Sequence, residues 1–391
     1  MSNTLTGLIN NVNQALYTVS RERVGYERAV ARNATAERAA LNQVIRVPVA
    51  PAAGASAANT PAAEVPDTGD VTAEYIDMTI SKSQHQPVRF EGEELQALES
   101  SNTVDFVQQR FAQAFRALCN EVEADIATIA YKKASRATGA AGTTPFNTAG
   151  TLSDFANVMK ILDDNGCPPN DVHLVIDNAA VANLRGKQSN FYKINEAGTD
   201  EMLRDGKIAR AFGFDIHQSG QVPLVTVGDT NGAATLTSTD YAVGARTLTL
   251  ASAGTGGFNA GDMVNIAGQN NGIWYGLETG DADTSGGGTL VLNRPGLRIA
   301  QTTNTSLVTV PAANWRANLA FHKDAIQLIT RTPAMPTRGD KATASFMVQD
   351  PASGLVFEVR EYPGFHRSTF HVTLAWGVGV VNSEHVAVLF G

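Results

Sequence analysis

The longest regular pattern of hydrophobic and polar positions in this chain spans residues 102–136. Hydrophobic residues recur there at alternating steps of three and four, which places them along one side of a helix. They are Val104, Val107, Phe111, Phe115, Leu118, Val122, Ile126 and Ile129. The opposite side carries Gln108, Gln109, Arg110, Arg116, Glu121, Glu123 and Asp125. Neither Gly nor Pro interrupts the stretch. The pattern therefore predicts a helix of about 50 Å, a spine to which other elements attach.

A second helical pattern covers residues 4–41. Hydrophobic residues from Leu5 to Val19 form a stripe, and the residues after them are rich in Arg, Glu and Ala at helical spacings. A mixed charged face of this kind is usually solvated, and contact with a partner is the alternative. Because the segment has no obvious local partner, we predict a helical arm that docks on something outside itself.

Two segments with a strand pattern flank a stretch that has almost no hydrophobic residues. Residues 43–49 form the first strand pattern, and alternation resumes over residues 72–90. The tract between them is rich in Pro, Ala and Gly and cannot build a core of its own. The pattern predicts a long protruding hairpin with a flexible tip, whose strand edges something else must cover.

The chain after the predicted spine divides into three parts. Residues 139–223 alternate helix and strand, which favours a compact α/β lobe. Residues 224–312 show short strand patterns bounded by Gly, Asn, Asp or Thr, which are typical of a small antiparallel barrel or sandwich inserted into the chain. From residue 313 the earlier pattern of helices and strands resumes, and the last strands are hydrophobic enough to form a sheet packed on the spine.

Composition and charge narrow the class of protein. Hydrophobic residues make up 43% of the 391 residues, enough for a sizeable core, yet no hydrophobic run approaches the roughly 20 residues that span a bilayer. The N-terminus lacks the hydrophobic core of a signal peptide, and Cys119 and Cys167 are the only cysteines. We therefore expect the protein to be made and kept in a reducing cytoplasm. The net charge of −8 disfavours a dedicated nucleic-acid-binding protein, which would be basic.

Two stretches of the sequence resemble ligand-binding motifs, but the residues that follow them do not fit those motifs. Residues 254–261 are glycine-rich like a phosphate-binding loop, but a strand pattern follows where a helix is needed. Residues 281–288 begin like a calcium loop, but Leu292 stands where the bidentate Glu belongs. The histidines have no metal-ligand spacing, and no nucleophile elbow is present. We therefore predict no catalytic, cofactor or metal site, and no enzyme.

In chain order, the predicted parts are an arm, a hairpin, a spine helix, an α/β lobe with a β-insert, and a closing sheet. This order resembles the major capsid proteins of tailed phages, which have the Hong Kong 97-type fold. The insert looks like the telokin-like domain of the Salmonella short-tailed-phage coat proteins. Four segments carry the resemblance: residues 208–223 before the insert, AGDMVNIAG at 260–268 within it, 318–336 after it, and the closing strands at 370–391. The resemblance implies an α+β chain of that fold.

The resemblance also implies how the chain is divided. We expect an N-terminal helical arm at 1–42, an extended hairpin at 43–90, the spine helix of a peripheral domain at 91–138, an axial α/β domain at 139–223, an inserted β-barrel at 224–312, and the rest of the axial domain with the closing peripheral sheet at 313–391.

A protein of this family is expected to be structural. Copies would assemble into pentamers and hexamers of an icosahedral shell around phage double-stranded DNA, through a scaffold-guided procapsid that expands on maturation. The implied partners are the chain itself, a scaffolding protein, a portal protein and DNA held without sequence specificity, with no membrane and no cofactor. The expected location is the virion, after assembly in the host bacterial cytoplasm.

Five charged residues are our candidates for assembly contacts. They are Arg46, Lys82, Arg89, Asp281 and Asp283. A cross-link between Lys82 of one subunit and Asn382 of another is a further idea, since some capsid proteins form such a bond. Nothing in the local sequence activates either residue, so we interpret Lys82 as a solvated lysine.

Other functions stand as alternatives. A β-rich surface-layer or adhesin-type protein fits the Gly-, Thr- and Asn-rich C-terminal half but lacks a secretion signal. A hydrolase would need a paired nucleophile and base, which the sequence does not display. A protein nanocompartment of the same fold is the third, although the insert favours a phage capsid.

Overall fold

The structure is a computed structural model. It describes residues 22–49, 74–93, 103–148, 151–186, 210–227, 235–236, 240–251, 256–269, 273–301, 307–337, 339–350 and 353–391. The first half of the predicted N-terminal arm and the tip of the predicted hairpin lie outside these ranges.

The described part contains helices and, in larger number, strands. The helices are α1 (Tyr26–Ala29), α2 (Thr103–Lys132), α3 (Ser153–Asp164) and α4 (Asn178–Arg185). The strands are β1 (Ala31–Ala39), β2 (Val44–Val49), β3 (Glu74–Thr79), β4 (Lys82–Glu91), β5 (Arg136–Thr138), β6 (Val172–Ile176), β7 (Arg210–Ala211), β8 (Phe214–Gln218), β9 (Leu224–Val225), β10 (Thr247–Leu250), β11 (Met263–Ile266), β12 (Trp274–Thr279), β13 (Gly288–Leu292), β14 (Val308–Thr309), β15 (Trp315–His322), β16 (Ile326–Pro333), β17 (Ala344–Gln349), β18 (Val356–Gly364), β19 (Arg367–Val380) and β20 (Val386–Phe390). The predicted α+β class is confirmed.

Helix α2 is the predicted spine. The middle of its hydrophobic stripe has no solvent exposure, at Phe111, Phe115, Leu118, Val122 and Ile126. The helix is four residues shorter at its C-terminal end than predicted. Its last turn meets Asn293, whose side-chain amide donates to the carbonyls of Lys132 (3.1 Å) and Ala134 (2.8 Å). Because these carbonyls would otherwise be unpaired at a helix end, Asn293 marks where the spine stops.

The predicted helical arm is wrong over most of its described part. Residues 26–29 form a single helical turn, but residues 31–39 form strand β1. β1 pairs in parallel with β16, for example Arg32 with Leu328 and Ala34 with Thr330. The Ala, Arg and Glu of this segment favour a helix, but that preference amounts to tenths of a kcal/mol per residue. Strand pairing along β16 satisfies the same backbone groups and prevails.

The first sheet covers the spine. Its strand order is β1-β16-β19-β18-β17. In addition, β4 pairs in antiparallel with residues 367–376 of β19. The face turned to α2 is aromatic: Phe111 meets Phe370 at 5.4 Å and Phe115 meets Phe357 at 5.1 Å, both edge to face. The prediction that the closing strands cover the spine's hydrophobic stripe is confirmed.

The second sheet carries the α/β lobe. Its order is β10-β13-β12-β5-β20-β15-β6-β8-β7. Helix α3, strand β6 and helix α4 follow one another in this lobe, as the alternation of helix and strand in residues 139–223 predicts. The lobe has its own hydrophobic cluster, which includes Phe155, Leu162, Leu174 and Phe214. Asp177 caps α4 by accepting from the backbone N–H of Ala180 at 2.8 Å, which fixes where the chain turns from strand to helix.

A histidine pair joins two strands of this lobe. Nδ1 of His173 on β6 lies 3.1 Å from Nε2 of His217 on β8. Burial, and then the nearby His173, lower the pKa of His217 to about 4 from its usual 6.5. Burial also lowers the pKa of His173. Both rings therefore favour the neutral state in the folded chain.

We predict that acid destabilises the protein through this pair. Between about pH 6.5 and pH 4 the unfolded chain binds a proton at residue 217 that the folded chain does not, so the free energy of unfolding falls as the pH falls through this window. The loss is at most about 3 kcal/mol. Urea unfolding of His217→Gln from pH 7 to pH 4 should show a flatter dependence. His366→Asn, at an exposed histidine, should keep the wild-type slope, and equal slopes in all three proteins would contradict the assignment.

Leu224 and Val225 form β9, which pairs with β15 of the second sheet. The described residues between 235 and 309 form a unit of strands and one 3₁₀ turn, with no α-helix among them. Pairing runs from β10 to β13, β12, β11 and β14. Two isolated bridges connect the ends of this series: Thr235 bridges Leu307, next to β14, and Leu236 bridges Leu250 of β10. The pairings thus follow a circuit around a separate hydrophobic cluster that includes Phe258. β12 also pairs with β5, which connects the unit to the second sheet.

Candidate assembly surface

Strands β2 and β3 form a two-stranded ribbon that belongs to neither large sheet. On one face Val47 and Met78 are buried. On the other face Arg46 pairs with Asp77 at 3.1 Å, both side chains being more than half exposed, and Tyr75 is 59% exposed. The ribbon therefore has one face packed on its own subunit and one exposed face. The predicted hairpin of residues 43–90 is present in β2 and β3, but its last part is wrong, because residues 82–91 form β4 and pair with β19 in the first sheet.

Two glycines in β19 make the seat for the ribbon. A Cβ added at Gly377 would lie 2.2 Å from the carbonyl oxygen of Thr79, and one at Gly379 would lie 2.7 Å from Cε of Met78. Residues two apart in a strand point to the same face, so the G-x-G pattern clears one face of β19. Backbone bonds then hold the root, since Ile80 donates to Gln43 at 3.0 Å.

We predict that Gly377→Ala loosens the ribbon. A backbone carbonyl cannot rotate away from the new methyl group, so the root must shift, at a cost of about 1–3 kcal/mol or more. Thermal unfolding should show a lower Tm, and limited proteolysis should cleave residues 50–73 faster. Gly92→Ala is the control, because its Cβ would meet no atom closer than 3.8 Å. A Gly377→Ala protein as stable and as resistant as Gly92→Ala would refute the close fit.

Lys82 is the first residue of β4 and binds two carboxylates of the spine helix. Its Nζ lies 3.0 Å from Glu121 and 2.9 Å from Asp125, and 5.9 Å from the centroid of the Trp376 ring. Asp125 also accepts from the indole N–H of Trp376 at 2.9 Å. Burial alone would lower the pKa of Lys82, but the hydrogen bonds to Asp125 and Glu121 outweigh it and raise the pKa. The interpretation of Lys82 as a solvated lysine is wrong, because it bonds within the subunit.

Glu123 holds the segment that leads into β1. This carboxylate has no solvent exposure and accepts from the backbone N–H groups of Gly25 (3.2 Å) and Glu27 (2.7 Å) and from the hydroxyl of Ser219 (2.8 Å). Burial raises the pKa of Glu123 despite these hydrogen bonds. Its assignment to the polar face of the spine is therefore wrong. Two turns earlier on the helix, Arg116 binds Glu22 through its guanidinium, so the spine holds this segment at two points.

The three remaining candidates for assembly contacts lie in two places, one on β4 and one in the turn before β13. Arg89 is exposed near the end of β4, where it pairs with Glu91 at 3.2 Å. Asp281 and Asp283 shape the turn before β13: Asp281 accepts from the N–H of Asp283, and Asp283 from the N–H of Ser285, both at 3.0 Å. Among the described residues no group of three His, Cys, Asp or Glu side chains is placed to hold a metal ion. The two aspartates are therefore turn-forming residues on the surface of the 224–312 unit.

Sequence reasoning missed several residues that position this surface. Gly377 and Gly379 left a readable signal, since two glycines at a spacing of two in a hydrophobic strand indicate a close backbone approach. Glu123 left none, because its partners lie 96 and more residues away in the chain. Asn382 begins a short 3₁₀ turn, where its side chain accepts from the N–H of Glu384 at 3.0 Å.

None of the helices that the structure describes is long and apolar enough to cross a membrane.

No protein-family model matches the sequence, and neither does any curated protein. Among solved structures, the chain is similar to the capsid structure of the cyanophage P-SCSP1u, with 12% identity and a TM-score of 0.49 over 95% of this chain and 89% of that chain. A structure from Mycobacterium phage Che8 has 12% identity and a TM-score of 0.46 over 95% and 92%. A virus-like particle from Pyrococcus furiosus has 10% identity and a TM-score of 0.44 over 99% and 100%.

Proposed function

We propose that the chain is the major capsid protein of a tailed phage, with the Hong Kong 97-type fold, and that its copies close into an icosahedral shell. The observation that carries the proposal is the β2–β3 ribbon, which leaves both sheets, sits on a glycine-cleared root, and keeps an exposed outer face. The ribbon precedes β4 and the long spine helix in the chain, in the order that the sequence resemblance implies. The ribbon is a sheet of only two strands, and contact with a neighbouring subunit is one way in which exposed strand edges are covered.

The proposal has a physical logic in the contacts around the spine. Ion pairs from Lys82 and Arg116 and the buried Glu123 tie the root of the ribbon and the N-terminal segment to one rigid helix. A rigid body with projecting strands lets one chain occupy non-equivalent lattice positions while its internal contacts stay unchanged. Many modest contacts repeated over a closed lattice then give high collective stability.

The finer features belong to the same proposal. We infer pentamers and hexamers, a scaffold-guided procapsid that expands, a portal partner, packaged double-stranded DNA and assembly in the host cytoplasm. The domain boundaries given above are included, with residues 224–312 as an inserted β-barrel, and Arg46, Lys82, Arg89, Asp281 and Asp283 remain proposed contacts. The surface-layer or adhesin alternative is not favoured, because the closing strands pack with the spine helix in one hydrophobic cluster.

Light scattering of the purified protein tests the proposal, with the protein alone and with a scaffolding partner. We expect a concentration-dependent shift from subunits to particles of one narrow size class tens of nanometres across. A stable monomer under every assembly condition would overturn it.

A further inference from the structure

Residues 22–29, which we call the N-terminal strap, lie across the second sheet. A Cβ added at Gly25 of the strap would lie 3.0 Å from the carbonyl oxygen of Gln218 on β8 and 3.1 Å from Cγ1 of Val175 on β6. Only glycine allows the strap to come this close to both strands. The strap therefore covers one face of the sheet where β6 and β8 run side by side.

The covered face carries the histidine pair of these two strands. His217 is the β8 partner of Val175, and His173 stands two residues before Val175 in β6, so all three side chains point to the same face. The buried ring of Tyr26 in the strap stacks on Phe321 of β15 at 6.4 Å, and the ring of Phe321 lies 6.2 Å from that of His173. The histidine pair therefore lies beneath the strap.

The surroundings of the pair oppose its protonation. Burial lowers the pKa of both histidines, and at His217 the neighbouring His173 and then Arg28 of the strap lower it further. The other charged or titratable groups that act on the pair are Asp171 before β6, Asp215 on β8, and His322 and Lys323 at the end of β15. The two aspartates favour the charged form, but the opposing effects prevail, so an imidazolium fits poorly beneath the closed strap.

We propose that the histidine pair is an acid-sensitive switch for the strap: when the pair takes up a proton, residues 22–29 dissociate from the sheet while the rest of the subunit stays folded. Opening the strap admits water to the rings and moves Arg28 away. The pKa of His217 then returns from about 4 towards its usual 6.5. The open strap binds more protons than the closed one, so it is favoured as the pH falls through this window.

The two carboxylates that hold the strap respond differently to acid. Glu22 accepts from Nε of Arg116 at 2.6 Å and from the amide of Asn120 at 2.7 Å. The hydrogen bond from Arg116 lowers the pKa of Glu22 to about 2, so this end of the strap is weakened only below about pH 4.5. Burial raises the pKa of Glu123, so protonation of Glu123 favours the closed strap. The histidine pair has to outweigh Glu123 for the switch to operate.

Hydrogen exchange of the full-length protein at about pH 6.5 and about pH 4.5, corrected for the intrinsic pH dependence of exchange, tests the switch. The backbone N–H groups of Gly25 and Glu27 report on the strap, because both donate to Glu123. Their opening equilibrium should rise by roughly 10- to 40-fold from the higher to the lower pH. Strand β20, which lies in the middle of the second sheet, should keep its protection.

Two variants assign the effect to the pair. His217→Gln should lose most of the rise in strap exchange, and His366→Asn, at an exposed histidine, should keep it. Equal strap protection at both pH values in the wild type would overturn the proposal, and so would an equal rise in the strap and in β20, which would mean that the whole subunit opens. A folded His217→Gln protein with the wild-type rise would also overturn it. If that variant does not fold by circular dichroism, the comparison of strap with β20 in the wild type decides.

Discussion

Phe115→Asp should prevent the chain from folding, so that the protein is recovered as aggregate with no cooperative unfolding transition. Phe115 has no solvent exposure and packs edge to face on Phe357 of β18. Losing a buried aromatic side chain costs about 3–5 kcal/mol. The carboxylate would lie within a hydrophobic cluster, and burying a charge there adds several kcal/mol. The sum rivals the whole stability of a typical domain, about 5–15 kcal/mol.

Ala117→Asp is the matched control for this change. Ala117 lies two residues further along α2, on its exposed side, so the same side chain meets water there and costs no more than about 0.7 kcal/mol in helix propensity. Circular dichroism and thermal unfolding should give a folded Ala117→Asp protein. A soluble, cooperatively unfolding Phe115→Asp protein would contradict the place of α2 at the centre of the core.

Deletion of residues 52–66 should leave a folded subunit that no longer forms shells. The deletion spares β2, β3 and the glycine seat on β19, so the Tm should change by no more than a few degrees, equivalent to less than about 1 kcal/mol. Sedimentation velocity should show subunits where the wild type gives particles, because the deletion removes the tip of the projecting hairpin on which the proposed shell depends.

A second variant separates loop length from loop chemistry. Replacing residues 52–66 by a Gly/Ser linker of equal length preserves the reach of the loop but removes Pro61 and Glu64. We expect it to assemble poorly too. Normal shells from the deletion itself would show that the hairpin tip is dispensable for assembly.

The spine and the lobe were predictable because their signals are local. Hydrophobic residues three and four apart in 102–136 specify one buried helix face without reference to the rest of the chain. The end of the helix was not predictable from the same pattern, because Asn293, which accounts for it, lies about 160 residues away.

The arm and the charged contacts were mispredicted for a common reason. Residues 31–39 have helical composition, yet their environment is the edge of β16, and strand pairing outweighs a weak local preference. Glu123 and Lys82 have the residue types of a solvated surface, yet each meets partners from a distant part of the chain. Pattern reasoning places a charged residue on the outside by default, and it fails where a charge is used to join two segments.

The measurement that tests the central claim most directly is negative-stain electron microscopy of the full-length protein, alone and with a scaffolding partner. We predict uniform closed shells tens of nanometres across, which are lost on deletion of residues 52–66 and retained in the Gly92→Ala control. Fields of monomers, open sheets or irregular aggregates under all assembly conditions would contradict the assignment as a shell-forming capsid protein.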